Sequence, residues 1–183
     1  MGEQAVKHCM IDLETWGTAP GSAIRSIGAV GFDMEDRHIT SSFYHNITDD
    51  SCTAAGLSIS QSTREWWAKR PEAEAFLRRD AVPLLQAVTE FNRYWGMMRF
   101  ECVWAHGASF DPVLWGVASN AVAGNPPWDH RNIRDTRTIL DLGDVRLGDR
   151  EFVGVPHYAI DDCLHQIKGV QEAYRRLFHT HEA

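Results

Sequence analysis

The stretch Cys9-Met10-Ile11-Asp12-Leu13-Glu14-Thr15-Trp16-Gly17 decides the fold of this chain. Its apolar start predicts a buried β-strand, and the two-residue period of a strand directs the side chains of Asp12 and Glu14 to the same face. Two carboxylates side by side at the end of a core strand repel each other unless a cation or a shared proton neutralises them. A divalent metal ion is one solution. A turn cap at Asp12 and a solvated Glu14 are the alternative, which an isolated pair favours.

The whole chain has the length and composition of one α/β domain spanning residues 1–183. It is 44% hydrophobic and 23% charged, without biased tracts or repeats. No window has the length and apolarity of a membrane span or a cleaved signal, so we expect a cytoplasmic protein with no membrane partner. The four cysteines are far apart, which indicates reduced thiols rather than a zinc ribbon: Cys9, Cys52, Cys102 and Cys163.

The formal charge of −7 argues against nucleic-acid binding through a broad basic surface. An enzyme is not excluded by this charge, because bound divalent ions convert a carboxylate cluster into a place where a phosphate binds.

The pattern of apolar residues predicts strands, then helices, then a strand and further helices, which implies one mixed sheet with flanking helices. After the opening strand, the predicted strands are residues 25–32, 38–46 and 101–105. Residues 49–59 are small and polar, and helical character resumes over 58–77. Further helices are predicted at 81–99, 112–124 and 135–142 and within 154–181.

Two of these helices carry an apolar stripe that we assign to the core. The stripes comprise Val82, Leu85, Val88, Phe91 and Trp95 in one helix and Ile160, Leu164, Ile167, Tyr174 and Leu177 in the last. The adjacent Trp66 and Trp67 cannot share one narrow stripe, so we expect one to face the core and the other a groove or a partner. Packing of both indoles under loops is the alternative.

Acidic residues also stand at the ends of later elements. Asp111 falls between the predicted strand 101–105 and a helix, where it would serve either a site or a helix cap. His157 and the pair Asp161-Asp162 stand at the start of the last helix.

The three segments DLETWG, ASFD and HYAIDD together resemble the motifs of the DEDD exonuclease superfamily, in its histidine-bearing DEDDh branch. The resemblance covers residues 8–175. The segments VWAHGASFD, STREWW and DTRT are similar to small bacterial and phage exonucleases related to the mycobacterial 3′–5′ exoribonuclease. One departure is His106, where these relatives commonly carry asparagine, so a substrate contact by His106 is in doubt.

The resemblance implies a ribonuclease H-like fold that holds two Mg²⁺ or Mn²⁺ ions. Asp12 would bridge the ions, Glu14 and Asp162 would complete the site of the ion that activates water, and Asp111 would act through water. His157 would be the general base. The choice of Asp162 over Asp161 rests on the family spacing alone. We expect Asp161 to be a negative charge near the helix N-terminus, where the helix dipole stabilises it.

The resemblance also implies a 3′–5′ exonuclease that releases nucleoside 5′-monophosphates from the 3′ ends of single-stranded DNA or RNA, 3′ overhangs included. The backbone of Thr15 and Trp16 would contact the terminal sugar, and Trp16 and Phe110 are candidates to stack on the base, or else core aromatics. Arg137 would meet a phosphate or pair with an acid. A homodimer is expected, because a second subunit could supply basic surface.

Two other functions remain open. A catalytically inactive nucleic-acid or protein binding module would keep the fold, although all five catalytic positions are filled. A zinc hydrolase would need histidine ligands, yet His179 and His181 lie in the tail and no HExxH spacing occurs.

Overall fold

A mixed five-stranded sheet forms the centre of the computed structural model, which describes residues 7–35 and 39–178. The strand order is β3-β2-β1-β4-β5. The first three strands form an antiparallel meander, and β1, β4 and β5 run parallel. The mixed sheet of the sequence prediction is therefore confirmed. The strands are β1 His8–Thr15, β2 Ile24–Phe32, β3 Ser41–Asn46, β4 Cys102–Ala105 and β5 Ile133–Asp135.

Seven α-helices are present in the described part of the chain. They are α1 Asp49–Ala54, α2 Gln61–Trp67, α3 Pro71–Leu77, α4 Leu84–Met98, α5 Asp111–Val122, α6 Thr136–Leu142 and α7 Ala159–Phe178. None of the helices in the described ranges is both long and apolar enough to cross a membrane.

The side chains of β1 alternate between two cores. Cys9, Ile11 and Leu13 pack in the larger core, which contains residues of α4 and α5. Met10 packs in a second core with Cys163 and other residues of α7. Since successive strand residues face opposite sides of a sheet, Asp12 and Glu14 lie on the side of α7.

The N-terminus of α7 lies directly against the sheet because β2 carries a glycine there. A Cβ atom added to Gly28 would lie 2.6 Å from the backbone carbon of Ala159. Gly28 pairs with Asp12 across the β1–β2 ladder, so this close approach brings the first turn of α7 beside Asp12. A small residue in the middle of a strand therefore sets the distance between two parts of the site.

Several elements differ from the sequence prediction. The polar segment 49–59 contains α1. Asp49 and Asp50 lie in its first turn, where their negative charges interact favourably with the helix dipole. The helical region 58–77 is divided, since Pro71 begins a new helix. Strand β5 was not predicted, because three residues show no period. The predicted strand 38–46 begins at Ser41; His38 lies outside the described residues, as do His179 and His181.

The apolar stripes need corrections at their ends. Leu85 is 53% exposed, whereas Leu84 is fully buried. Val82 precedes α4, and Leu177 is exposed near the end of α7. Val88, Phe91 and Trp95 are buried as expected. The prediction that one tryptophan of the pair faces the core is confirmed, since Trp67 is 2% exposed. Trp66 is 38% exposed, and its contact with a groove or a partner stays a prediction.

Candidate active site

Three carboxylates converge at the end of β1. Asp12 and Glu14 come from the strand and Asp162 from the first turn of α7, and their ligand oxygens lie within 4.8 Å of one another. Asp161 points elsewhere, since its Oδ2 accepts the N–H of Val155 at 2.8 Å. The structure thus brings Asp162, rather than Asp161, to the predicted cluster.

Asp111 contacts β1 at the point where the pairing of β1 with β4 has ended. Ladder pairing of β1 with β4 ends at Met10 and Trp104, so the strand beyond Met10 has no parallel neighbour on that side. The N–H of Leu13 donates instead to Asp111 Oδ1 at 3.0 Å. Asp111 is the first residue of α5, where the cap position belongs to Phe110. This bond holds one carboxylate oxygen of Asp111 against the backbone of the residue between Asp12 and Glu14, so Asp111 is more than a helix cap.

Burial raises the pKa of each of the four acids, and neighbouring carboxylates add to the rise at Asp12, Asp111 and Asp162. Burial is the largest cause in every case, because it disfavours the charged form. The neighbouring carboxylates Asp111, Glu14 and Asp162 raise the pKa of Asp12 further. The pKa of Asp111 and that of Asp162 are each raised to about 7. Four buried acids with raised pKa values form a site where the binding of a cation is strongly favoured.

His157 lies next to Glu14, with its Nδ1 3.6 Å from Glu14 Oε1. The side-chain interaction with Glu14 raises the pKa of His157, while burial opposes the rise. His157 has a φ of 66°, which an L-residue rarely adopts and which costs about 1–3 kcal/mol. Such backbone strain is common at functional sites, and here it holds the imidazole beside the carboxylates.

The indoles of α2 surround the imidazole. The ring centroid of Trp66 lies 5.0 Å from that of His157, and that of Trp67 lies at 5.7 Å, both edge-on. Trp67 Nε1 donates to the backbone oxygen of Thr15 at 3.0 Å. This bond connects α2 to the first motif, the DLETWG segment of residues 12–17. Helix α2 is therefore part of the wall of the site.

A buried cation behind the first motif was missed in the sequence. Arg25 of β2 is 3% exposed and lies 2.6 Å from Glu74 of α3. Its guanidinium lies 3.9 Å from the ring centre of Trp16 and 4.5 Å from that of Trp67. Its positive charge also lowers the pKa of Glu14, against the effect of burial. The only sequence signal is one charged residue inside an otherwise apolar strand.

Gln166 was also missed. Its Nε2 donates to Asp12 Oδ1 at 2.9 Å, and the side chain is buried. The available signal was its position four residues after Asp162, which places both on the same helix face.

The predicted sugar and base contacts of the first motif are largely taken up within the protein. Trp16 is 6% exposed, and its Nε1 donates to Asp49 Oδ1 at 2.5 Å. The Trp16 N–H donates to Ala23 O, and the backbone oxygens of Thr15 and Trp16 accept the indole N–H of Trp67 and the N–H of Ser60. Of the two roles left open for Trp16, this placement supports the core aromatic, because a buried ring offers no free face to a base.

The three remaining predicted contacts lie in or beside the loop between β4 and α5. Phe110 is half-buried at the N-terminus of α5, and His106 Nδ1 lies 2.8 Å from Thr136 Oγ1. Burial, followed by the charge of Arg137, lowers the pKa of His106. Arg137 is exposed, and a Cβ atom on Gly107 would lie 2.7 Å from its Nη1. Within residues 7–35 and 39–178, no carboxylate lies within ion-pair distance of the Arg137 guanidinium.

The donor atoms of the cluster fit hard divalent cations. All four acids offer carboxylate oxygens, which Mg²⁺ and Mn²⁺ prefer. The Oδ2 atom of Asp162 is buried without a hydrogen-bond donor in the described part of the chain, a costly arrangement that a cation would relieve. The nearby Cys163 is no competing ligand, because burial raises the pKa of its thiol and keeps it protonated.

Comparison with solved structures finds exonucleases. Exonuclease I matches with a TM-score of 0.66 at 11% identity over 92% of this chain, and the E. coli exonuclease I–ssDNA complex in its zinc-bound form matches with 0.63 at 10% over 97%. The chain spans 40% and 42% of those proteins. Exonuclease X in complex with 5′ overhanging duplex DNA matches with 0.55 at 20% identity, over 94% of this chain and 93% of that one. These likenesses define a ribonuclease H-like exonuclease fold.

The family follows from the sequence. Residues 7–174 match the 3′–5′ exoribonuclease Rv2179c-like domain, so the chain belongs to that family. A search of curated proteins found no match. The chain is therefore a member of a 3′–5′ exoribonuclease family, and its resemblance to the DEDDh exonuclease superfamily is confirmed.

Proposed function

We propose that this protein removes nucleotides one at a time from the 3′ end of single-stranded DNA or RNA, 3′ overhangs included, and releases nucleoside 5′-monophosphates. The observation that carries the proposal is the convergence of Asp12, Glu14 and Asp162 within 4.8 Å, with His157 3.6 Å from Glu14. Membership of the exoribonuclease family supports the reaction. Neighbours bound to single-stranded DNA and to 5′ overhanging duplex DNA support a nucleic-acid substrate.

We further propose that two Mg²⁺ or Mn²⁺ ions are held by Asp12, Glu14, Asp111 and Asp162. When bound, such a pair supplies a nucleophile at neutral pH and neutralises the charge on the leaving oxygen. Asp12 would contribute to holding both ions, because Asp111, Glu14 and Asp162 all lie close enough to raise its pKa. Asp111 would act through its Oδ2, because its Oδ1 accepts the N–H of Leu13.

His157 is our candidate for the general base. Its side chain is 39% exposed, so the ring is accessible to solvent. The Nδ1 atom lies near Glu14, which leaves Nε2 to accept the proton of the attacking water. Trp66 and Trp67 hold the ring edge-on and restrict the directions from which it can be approached.

Two groups at the loop between β4 and α5 would hold the terminal nucleotide. Phe110 is half-buried, so part of its ring is available for stacking, which is worth about 1–3 kcal/mol per base. The exposed guanidinium of Arg137 has no carboxylate partner in the described ranges and would bind a phosphate. Gly107, with a φ of 117°, allows this guanidinium to lie close to the loop.

The test uses the purified protein with single-stranded and duplex DNA and RNA oligonucleotides, labelled at the 5′ or the 3′ end. With Mn²⁺ or Mg²⁺, we expect a ladder of shortening products from the 5′ label and 5′-mononucleotides from the 3′ label. A chelator should abolish both. Internal cuts would overturn the exonuclease proposal, and binding without cleavage would favour the inactive binding module.

We also propose that the protein is a homodimer that acts in the cytoplasm. All four cysteines are free, as in proteins of reducing compartments. Light scattering coupled to size-exclusion chromatography measures the mass directly, and a value near 20.7 kDa would contradict the dimer.

A further inference from the structure

Gln166 contacts the most crowded carboxylate of the site. It lies one helical turn after Asp162 on α7 and is 7% exposed. Its Nε2 donates to Asp12 Oδ1 at 2.9 Å. A buried side chain that bonds to a carboxylate in this way restricts the rotation of that carboxylate.

The amide suits this position because it is neutral. A lysine or arginine would supply a donor but would also compete with a cation for the charge of Asp12. A second carboxylate would add to the repulsion among Asp12, Glu14 and Asp162. An amide N–H orients Oδ1 without either effect, and it leaves Oδ2 unoccupied by this bond.

A second glutamine on the same helix shows the contrast. Gln171 is 4% exposed, and its Nε2 donates to the backbone oxygen of Asp33 at 2.7 Å, away from the four acids. Gln166 instead donates to a site carboxylate, while its Oε1 is buried without a hydrogen-bond donor in the described part of the chain. A buried acceptor without a partner costs free energy, so stability alone does not account for Gln166.

We propose that Gln166 is a positioning residue that orients the Asp12 carboxylate to bind a divalent metal ion. This inference rests on the proposed function, since it presumes that Asp12 is a metal ligand. It goes beyond that function by assigning a role to a residue outside the carboxylate and histidine set.

The test compares Gln166→Met with Gln171→Met. Methionine has a similar length but no donor, so each variant loses the hydrogen bond that the glutamine Nε2 donates. Titration calorimetry with Mn²⁺ alone, without nucleic acid, measures metal affinity. We expect affinity about 10–100-fold weaker for Gln166→Met, as is typical of lost partners of metal ligands, and unchanged affinity for Gln171→Met. Thermal unfolding should show that both variants fold.

The results separate this inference from the proposed function. If Gln166→Met binds Mn²⁺ as tightly as the wild type, or if Gln171→Met weakens binding equally, the positioning role is wrong while the metal site stands. If the wild-type protein binds no Mn²⁺, the proposed metal site fails and the role of Gln166 fails with it. A shift of the Mn²⁺ dependence of hydrolysis to higher concentration in Gln166→Met alone would further support the role.

Discussion

Asp161 and Asp162 are neighbours in the chain with different surroundings. Asp162 lies with Asp12 and Glu14, whereas Asp161 accepts the N–H of Val155. Because Asp162 would be a metal ligand, we expect Asp162→Asn to lose more than about 100-fold in metal-dependent hydrolysis, beyond the loss typical of indirect partners. The measurement is the initial rate of 3′ shortening on a labelled oligonucleotide.

Asp161→Asn is the matched control. It removes one negative charge from the first turn of α7, which costs about 0.3–1 kcal/mol through the helix dipole, and the amide oxygen can still accept the N–H of Val155. Because this change is small and does not touch the acid cluster, we expect the rate of Asp161→Asn to stay within about twofold of the wild type. A normal rate for Asp162→Asn together with a large loss for Asp161→Asn would reverse the assignment.

Among the single residues of the site, the sequence predicted those that carry a chemical signature. Asp12, Glu14, Asp111 and His157 stand at the ends of elements in a recognisable spacing, and the structure brings them to one place. Periodicity alone did not separate Asp162 from Asp161. Gln166 and Arg25 were not predicted, because a glutamine in a helix or one arginine in a strand has no signature until its contact is known.

Helix α3 is attached to the sheet by a buried ion pair. Glu74 contacts Arg25 at 2.6 Å, and Arg25 lowers the pKa of Glu74 although burial raises it. Glu74→Gln would leave the buried guanidinium without its carboxylate, at a cost of about 3–5 kcal/mol. Since each kcal/mol corresponds to about 2–4 °C here, we expect the Tm to fall by roughly 10 °C. Circular dichroism on heating measures it.

The control uses the other partner of the same carboxylate. Arg78 also contacts Glu74, at 3.0 Å, but is 76% exposed. An exposed pair on a helix contributes at most about 1 kcal/mol, so Arg78→Gln should change the Tm by no more than roughly 4 °C. Equal losses in the two variants would mean that the buried pair does not hold α3 in place.

The sequence predicted best the strands and helices that are long enough to show several repeats of their apolar pattern. Strands β1 and β2 and helices α4, α5 and α7 follow clear apolar patterns and lie close to their predicted positions. Helix α1 was hidden in a polar segment, and β5 is three residues long, too short to show alternation. The break between α2 and α3 depends on Pro71, which a pattern of apolar residues alone does not register.

Across the whole molecule, the acid cluster links stability to pH. In the metal-free protein, Asp111 and Asp162 have pKa values of about 7, well above those of unfolded aspartate. A raised carboxyl pKa means that the folded state binds the proton more tightly, so its stabilising contribution is present at low pH and is lost as pH rises through about 7. His157, whose pKa is also raised, acts in the same direction. Stability should therefore fall through neutral pH.

The measurement is the Tm between pH 6.5 and 8, with EDTA or with Mn²⁺. Burial lowers the pKa of His8 and of His106, so these two groups act in the opposite direction. Their contribution is about half complete at pH 6.5, where unfolded histidine is half protonated, and it offsets part of the fall. In EDTA we expect the Tm to fall by several degrees, at about 2–4 °C per kcal/mol, with a smaller fall in Asp162→Asn. Mn²⁺ should raise the Tm most at pH 8, where the acids are ionised and bind the cation without first losing protons. A Tm in EDTA that rises over this range would show that the pKa values of the four acids are not raised in the folded protein.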